Sequence, residues 1–117
     1  MKREVLGLTE IVLIKGKNEN GGRRLLKVKA KIDTGASKSS ICDTLVKKLN
    51  LQPHDKTVTL KSAFGKQRRR LIKVPIKIKG KGLKAYFSVS DRRHLKHDIL
   101  IGLNILKRWK FLIDPLK

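Results

Sequence analysis

The sequence is poor in cysteine, in aromatic residues and in long apolar runs. Cys42 is the only cysteine of 117 residues, which excludes an intramolecular disulfide framework and suits a reducing compartment. The first apolar stretch is short and Glu10 interrupts it, which argues against a signal peptide or a membrane span. Phe64, Trp109 and Phe111 are too scattered to predict a base-stacking surface. We therefore expect a cytoplasmic protein without membrane association, folded as one domain over residues 1–117.

The sequence also lacks the spacings that hold metals and phosphates. Cys42, His54, His94 and His97 are scattered, and no His-Glu-x-x-His pattern occurs. His94 and His97 would share a face of a helix, but a third ligand is missing. No glycine-rich phosphate loop is present either. These observations predict that the chain binds no metal, no ATP and no other cofactor.

Acidic residues are scarce as well. The chain has 9 Asp and Glu against 30 Lys and Arg, for a formal charge of +21. Such a charge attracts polyanions, whether RNA, the ribosome, anionic lipid or a glutamate-rich substrate, and it does not choose among them. A merely solvated lysine-rich surface is disfavoured, because proteins of that kind balance lysine with glutamate. The candidate polyanion patch comprises Arg23, Arg24, Lys66, Arg68, Arg69, Arg70, Arg92, Arg93, Lys107 and Arg108.

What the sequence does have is the period-2 alternation of β-strands. Leucine, valine, alanine and isoleucine alternate with Lys27, Lys29 and Lys31 up to Ile32, which predicts a strand with one face in the core. Pro75 indicates an edge position or a bulge. Further strands are predicted over residues 8–14, 39–42, 57–62, 71–79, 83–89, 99–101 and 111–114. A polar loop is predicted over 16–22, a hairpin tip over 63–67 and a turn over 80–82. Two short helices are predicted, one capped by Asp43 and the other over 104–109. The pattern predicts an all-β small barrel with two short helices.

Directly after the alternating strand, Asp33-Thr34-Gly35 places a carboxylate on a tight turn. A strand end is rigid and glycine allows a substrate backbone to approach, as a catalytic aspartate requires. The simpler interpretation is that Asp and Gly only satisfy turn chemistry. One aspartate cannot be both the base that activates water and the acid that protonates a leaving amine. Peptide hydrolysis at this turn would therefore require a homodimer.

Three segments together resemble the retropepsin-like aspartic peptidases: residues 32–37, with the sequence Ile-Asp-Thr-Gly-Ala-Ser, the hairpin around Phe64-Gly65, and Ile99-Leu100-Ile101-Gly102 before a short helix. Within that superfamily, the chain looks most like the prokaryotic group known as ATP-dependent zinc proteases, on the basis of three segments: Ser90-Asp91-Arg92-Arg93, Asp98-Ile99-Leu100-Ile101-Gly102 and Phe111-Leu112-Ile113-Asp114. That group is associated with glutamate ligases that modify ribosomal protein tails. The resemblance extends from about Leu8 to Asp114.

The resemblance implies a retropepsin-like protomer, a small closed barrel of the acid-protease type. Asp33 of each protomer would form a dyad that shares one proton, Thr34 would brace the two loops, and Gly35 would complete the catalytic turn. Residues 63–67 would be a flap over bound peptide. The implied substrate-binding residues are Ala36, Ser37, Lys38, Ala63, Phe64 and Gly65.

Two positions depart from the retroviral pattern. Retroviral members have an acidic residue after the Asp-Thr-Gly-Ala turn and an arginine after the later glycine, and these two residues pair. Here the positions hold Ser37 and Leu103. Both charges are absent together, so neither is left without a partner.

Two functions remain open from the sequence. The first is a homodimeric aspartic endopeptidase acting on acidic or ribosome-associated protein, which depends on Asp33. The second is a non-catalytic module of the same fold that binds RNA or a ribosomal surface through its basic residues, with an affinity that falls steeply as salt rises.

Overall fold

The computed structural model describes residues 3–51 and 53–117, with the backbone alone at 53–56, 58, 60 and 62. These residues form nine strands and two short helices. The strands are β1 (Val5–Leu6), β2 (Thr9–Lys17), β3 (Arg23–Ile32), β4 (Ser39–Cys42), β5 (Pro53–Ser62), β6 (Gly65–Ile78), β7 (Lys81–Ser90), β8 (Ile99–Ile101) and β9 (Leu112–Ile113), and the helices are α1 (Asp43–Lys48) and α2 (Leu103–Leu106).

Seven of the described strands form one sheet in the order β2-β3-β8-β4-β7-β6-β5. Because β2 also pairs with β6, the six strands from β2 to β6 in that order close into a barrel. β5 pairs only with β6 within this sheet, so the β5–β6 hairpin projects from the barrel. The prediction of an all-β closed barrel with short helices is confirmed.

The barrel interior is filled by branched aliphatic side chains. In β6, the fully or almost fully buried residues alternate with exposed Lys73 and Lys77. In β3, the predicted outward face of Lys27, Lys29 and Lys31 is confirmed. The interior set includes Val12, Ile14, Ile72, Val74, Ile76, Ile78, Phe87, Ile99 and Ile101, each at most 1% exposed. Burial of this apolar surface is the main favourable term that holds the barrel closed.

Several predicted boundaries were wrong. β2 continues through Gly16, because the absence of a side chain there allows close contact with Leu49, so the polar loop shortens to residues 18–22. Asp43 is the first helical residue of α1 rather than its cap, a position held by Cys42. Helix α2 covers Leu103–Leu106, not 104–109.

Pro75 lies in regular register with Lys84 of β7, so the predicted bulge is wrong. The prediction that Pro75 lies at a sheet edge is correct for the side of β6 opposite β7, because no described strand pairs with Pro75 there. On that side, the pairing with β5 reaches Ile72 and the pairing with β2 begins at Ile76. Pro75 falls between them, where its missing N–H breaks no ladder.

Strand β1 was not predicted. It pairs in parallel with β9, joining Val5 to Leu112 and Leu6 to Ile113. Leu6 is fully buried. In the described part of the chain, no helix has the length and apolar character needed to cross a membrane.

Candidate active site

The Asp33 turn follows β3 directly and is held by main-chain hydrogen bonds. The Asp33 N–H donates to the carbonyl of Ile101 in β8 (2.9 Å). The Gly35 N–H donates to Asp33 Oδ1 (2.9 Å), and the Ala36 N–H donates to the Asp33 carbonyl (3.3 Å). Asp33 as a residue is half-buried, and its carboxylate is oriented by its own turn. The geometry combines strand rigidity with a fixed carboxylate.

The segment after β8 packs against the far side of this turn. The Leu103 N–H donates to the Ala36 carbonyl (2.8 Å), and the Asn104 N–H donates to the Ser37 carbonyl (3.2 Å). A Cβ atom added to Gly102 would lie 2.8 Å from the Ala36 carbonyl oxygen and closer still to that of Lys38. Gly102 is therefore required for the two segments to approach each other.

A buried polar clasp, made by Ser39 and Asn104, reinforces this contact. Ser39 Oγ donates to Asn104 Oδ1 (2.7 Å) and accepts from the Gly102 N–H (2.9 Å). Asn104 Nδ2 donates to the Tyr86 carbonyl (3.0 Å). The clasp thereby joins β4, α2 and β7. Sequence reasoning missed it, since its partners are 65 positions apart.

The clasp and the main-chain bonds lie at the two departures from the retroviral pattern. Ser37 and Leu103 offer no ion pair, but their backbone groups take part in the hydrogen bonds between the turn and α2. Two loops that an ion pair would otherwise join are here held together by Gly102, Ser39 and Asn104.

The turn borders a cleft of about 430 Å³. Of the predicted site residues, Gly35, Ala36, Ser37 and Lys38 line it together. Thr34 instead lies at a separate concavity on the protein surface, beside Leu103 and Phe111. The turn therefore presents different residues to two surfaces.

The predicted flap is the β5–β6 hairpin, and its tip is narrower than expected. Ser62 pairs with Gly65, so Ala63 and Phe64 form the connection and β6 begins at Gly65, which has φ of 121°. Ala63, Phe64 and Gly65 are exposed and do not line the cleft. The hairpin reaches the cleft through Lys61 and Arg69 instead.

The ten residues of the candidate patch are distributed over four regions: the start of β3, the β5–β6 hairpin, the segment after β7, and the end of α2. Arg23 and the hairpin residues Lys66, Arg68 and Arg70 are exposed, as are Lys107 and Arg108. Arg24 and Arg69 are half-buried. Arg108 lies over the ring of Trp109, 4.9 Å from its centre.

Arg92 requires a correction, because it is only 8% exposed and cannot belong to a solvent-facing patch. Its Nε donates to the His97 carbonyl (2.9 Å) and its Nη1 to Ser40 Oγ (3.0 Å). Burial lowers the pKa of the Arg92 guanidinium from its ordinary value. An arginine remains charged even so. It lies at the wall of the cleft.

Its neighbour Arg93 is exposed and forms a forked pair with Asp91. Arg93 Nε lies 3.0 Å from Asp91 Oδ1 and Nη2 lies 2.8 Å from Oδ2. The hydrogen bonds from Arg93 lower the pKa of Asp91 well below its usual range, and the pKa of Arg93 is raised in turn. The Asp91 carboxylate is therefore already engaged.

Among the described residues, Cys42, Asp43 and Asp91 form one group with ligand atoms within 4.8 Å of one another. The donor set does not fit a zinc ion, because Arg93 holds Asp91 while Thr44 Oγ1 donates to Cys42 Sγ (3.3 Å). His94 and His97 lie outside the group, and the side chain of His54 lies outside the described residues.

A closed barrel that presents a tight Asp-Thr-Gly turn at a strand end defines the retropepsin-like class of aspartic proteases. The family model described as gag-polyprotein putative aspartyl protease matches residues 23–108, and the chain belongs to that family. The matched range contains the Asp33 turn, the hairpin, β8 and α2.

Solved structures agree on the fold. A Legionella pneumophila protein of unknown function superposes with a TM-score of 0.64 at 17% identity, covering 99% of this chain and 96% of that one. EIAV protease bound to an inhibitor gives 0.63 at 23% identity, with 94% and 90% covered. Simian foamy virus protease gives 0.58 at 16% identity, with 85% and 91% covered. The comparison with curated proteins finds no match.

Proposed function

We propose that the chain is one protomer of a homodimeric aspartic endopeptidase. The observation that carries the proposal is the Asp33 carboxylate, fixed by the Gly35 N–H on a turn bonded to both β8 and α2. Membership of an aspartic protease family supports it. The chain has one such turn, so a second protomer supplies the second carboxylate.

The chemistry follows from two carboxylates in contact, which cannot both ionise cheaply and so share one proton. The ionised Asp33 takes a proton from a water molecule while the oxygen of that water attacks the scissile carbonyl carbon. The protonated Asp33 of the other protomer gives its proton to the developing oxyanion. The Asp33 that took the proton from water then gives it to the amide nitrogen, and the C–N bond breaks as a hydroxyl of the diol returns a proton to the other Asp33. Thr34, exposed beside the turn, would brace the two loops across the dimer.

Within the aspartic protease family, we propose that the chain belongs to the prokaryotic group associated with glutamate ligases. The support for this assignment is the sequence around Ser90 to Arg93 and from Ile99 to Gly102. We propose a cytoplasmic enzyme whose substrate is an acidic or ribosome-associated protein, because a charge of +21 attracts such partners.

The test is an Asp33→Asn variant, compared with the parent on a peptide library and on acidic proteins between about pH 4 and pH 7, with products detected by mass spectrometry. Asparagine keeps the size and cannot act as a base, so we expect a loss of about a thousandfold or more in kcat/KM. Asp43→Asn, which changes a carboxylate at the first position of α1, outside the Asp33 turn, should retain the parental rate. Equal hydrolysis by parent and Asp33→Asn would remove the proposal.

One structural feature favours the second candidate, an RNA- or ribosome-binding module. Lys66, Arg68 and Arg70 are exposed at alternate positions of β6, so their side chains follow one face of the projecting hairpin. A basic stripe of this kind suits a phosphate backbone. Binding through it would survive Asp33→Asn.

A further inference from the structure

Two arginines line the cleft beside the Asp33 turn, and neither forms an ion pair with a carboxylate among the described residues. Arg92 is 8% exposed, and two of its N–H groups donate to uncharged acceptors, the His97 carbonyl and Ser40 Oγ. Within the described residues, Nη2 of Arg92 has no hydrogen-bond partner and Arg92 forms no ion pair. Nη2 of Arg92 is not among the buried atoms that lack a partner, so it reaches solvent at the cleft wall. Burial lowers the pKa of Arg92, and the charges of Asp98 and Asp33 act against that effect. A guanidinium N–H that is open at a cleft wall and has no carboxylate in contact with it can bind an anionic ligand.

Arg69, from the hairpin, supplies a second such group. Its Nη2 donates to Gln67 Oε1 (2.6 Å), whereas its Nε is buried and has no partner among the described residues. Both arginines line the cleft. Burial is the largest cause that lowers the pKa of Arg92, and the charge of Arg69 lowers it as well, whereas Cys42 and the same two aspartates act to raise it.

The other charges of the cleft do not neutralise this pair. Lys38 and Lys61 also line it, and both are exposed. The carboxylate of Asp91, at the same wall, is taken by the forked pair with Arg93. The residues that line the cleft thus have an excess of positive charge. Guanidinium matches the planar geometry of a carboxylate.

We propose that Arg69 and Arg92 form a specificity subsite that binds the side-chain carboxylate of a glutamate or aspartate in the peptide substrate. A peptide is favoured over RNA because the subsite shares its cleft with Gly35 and Ala36 of the Asp33 turn. The inference rests on the proposed peptidase function for the identity of its ligand. It adds the residues that would select the substrate.

The experiment measures binding without turnover. Asp33→Asn protein is incubated with two octapeptide pools that have the same randomised flanks and carry either a fixed central Glu or a fixed central Gln. At about 0.15 M salt, we expect the Glu pool to be retained about tenfold or more over the Gln pool, since a charge-assisted pair is lost with Gln. Parallel assays of the parent measure kcat/KM on both pools.

Arg69→Gln in the same background should bring the Glu-to-Gln ratio close to one. Arg70→Gln is the matched control, because it removes an equal charge from the adjacent position on the opposite face of β6 and should keep the ratio. Arg92→Gln should also lower the ratio, and its folding is checked separately because Arg92 also binds His97 and Ser40.

A ratio near one on the Asp33→Asn protein, or an equal fall with Arg69→Gln and Arg70→Gln, would overturn the subsite. Displacement of the Glu pool by a uridine octanucleotide in an Arg69-dependent manner would also overturn it, in favour of a phosphate site. Discrimination without hydrolysis by the parent would support the subsite and refute the peptidase. Hydrolysis of both pools at equal rates by the parent would support the peptidase and refute the subsite.

Discussion

Gly102 lies where the chain leaves β8 and enters α2, facing the carbonyl groups of Ala36 and Lys38. Its backbone is extended, with φ of −105°, so a larger residue would not strain the torsion angles. The constraint is space. The turn that carries Asp33 and the strand that supports it approach too closely for a methyl group.

A Gly102→Ala substitution should therefore destabilise the protein by about 2 kcal/mol or more, because the obstructing atoms are backbone and cannot rotate away. Urea unfolding followed by circular dichroism measures the change. Gly82→Ala is the matched control, as its added Cβ meets no atom within 4 Å. The control should lose no stability, since alanine is less costly than glycine in a strand. Equal losses for both variants would refute the packing argument.

At this scale, sequence reasoning placed Asp33 and Gly35 on a tight turn because strand, carboxylate and glycine are adjacent in the chain, and the family resemblance added Ala36. It missed Ser39, Asn104 and the burial of Arg92. Ser39 contacts a residue 65 positions away, and Arg92 contacts Ser40 across 52 positions. Partners at such separations follow from barrel closure, which no local pattern encodes.

At the scale of secondary-structure elements, the Ser39–Asn104 clasp joins β4, α2 and β7 through hydrogen bonds that an apolar side chain could not make. Ser39 is fully buried, and its hydroxyl satisfies both the Gly102 N–H and Asn104 Oδ1. Loss of this oxygen would leave a buried donor without a partner, which costs more than the hydrogen bond itself contributes.

We expect Ser39→Ala to lower the free energy of unfolding by about 1–3 kcal/mol, measured by guanidinium denaturation. Ser88→Ala tests a second buried serine on the neighbouring strand, whose Oγ makes only a 3.4 Å contact with the Ser39 carbonyl. Its loss should be smaller, because a contact of that length is weak. A larger loss for Ser88→Ala would show that the clasp is not the stabilising unit.

The strands with clear alternation were predicted, and so were the short strands β4, β8 and β9, whereas β1 and the first part of β6 were not. β3 and the second half of β6 have one face in the core, so lysine alternates with aliphatic residues. The first part of β6 projects from the barrel and is exposed, so residues 65–68 show no such pattern. β1 has only two residues, too few for a period to appear.

At the scale of the whole molecule, the large positive charge opposes the association of two protomers. Each protomer carries +21, and two like-charged bodies repel when they approach. The Debye length falls from about 10 Å at 0.1 M salt to about 3 Å at 1 M, so salt screens the repulsion between protomers. Binding to a polyanion behaves in the opposite way, because salt competes with the phosphates for the lysines and arginines.

Sedimentation of the nuclease-treated protein at about 0.05 M and about 1 M salt should therefore show a monomer–dimer equilibrium that shifts toward the dimer at the higher salt. RNA affinity, measured on the same preparation, should fall by about a thousandfold if several phosphates are neutralised. A dimer strengthened by salt would bring two Asp33 carboxylates together under conditions that release nucleic acid. A monomer at every salt concentration would mean that each molecule has only half an active site. The positive charge would then be explained by the RNA- or ribosome-binding function.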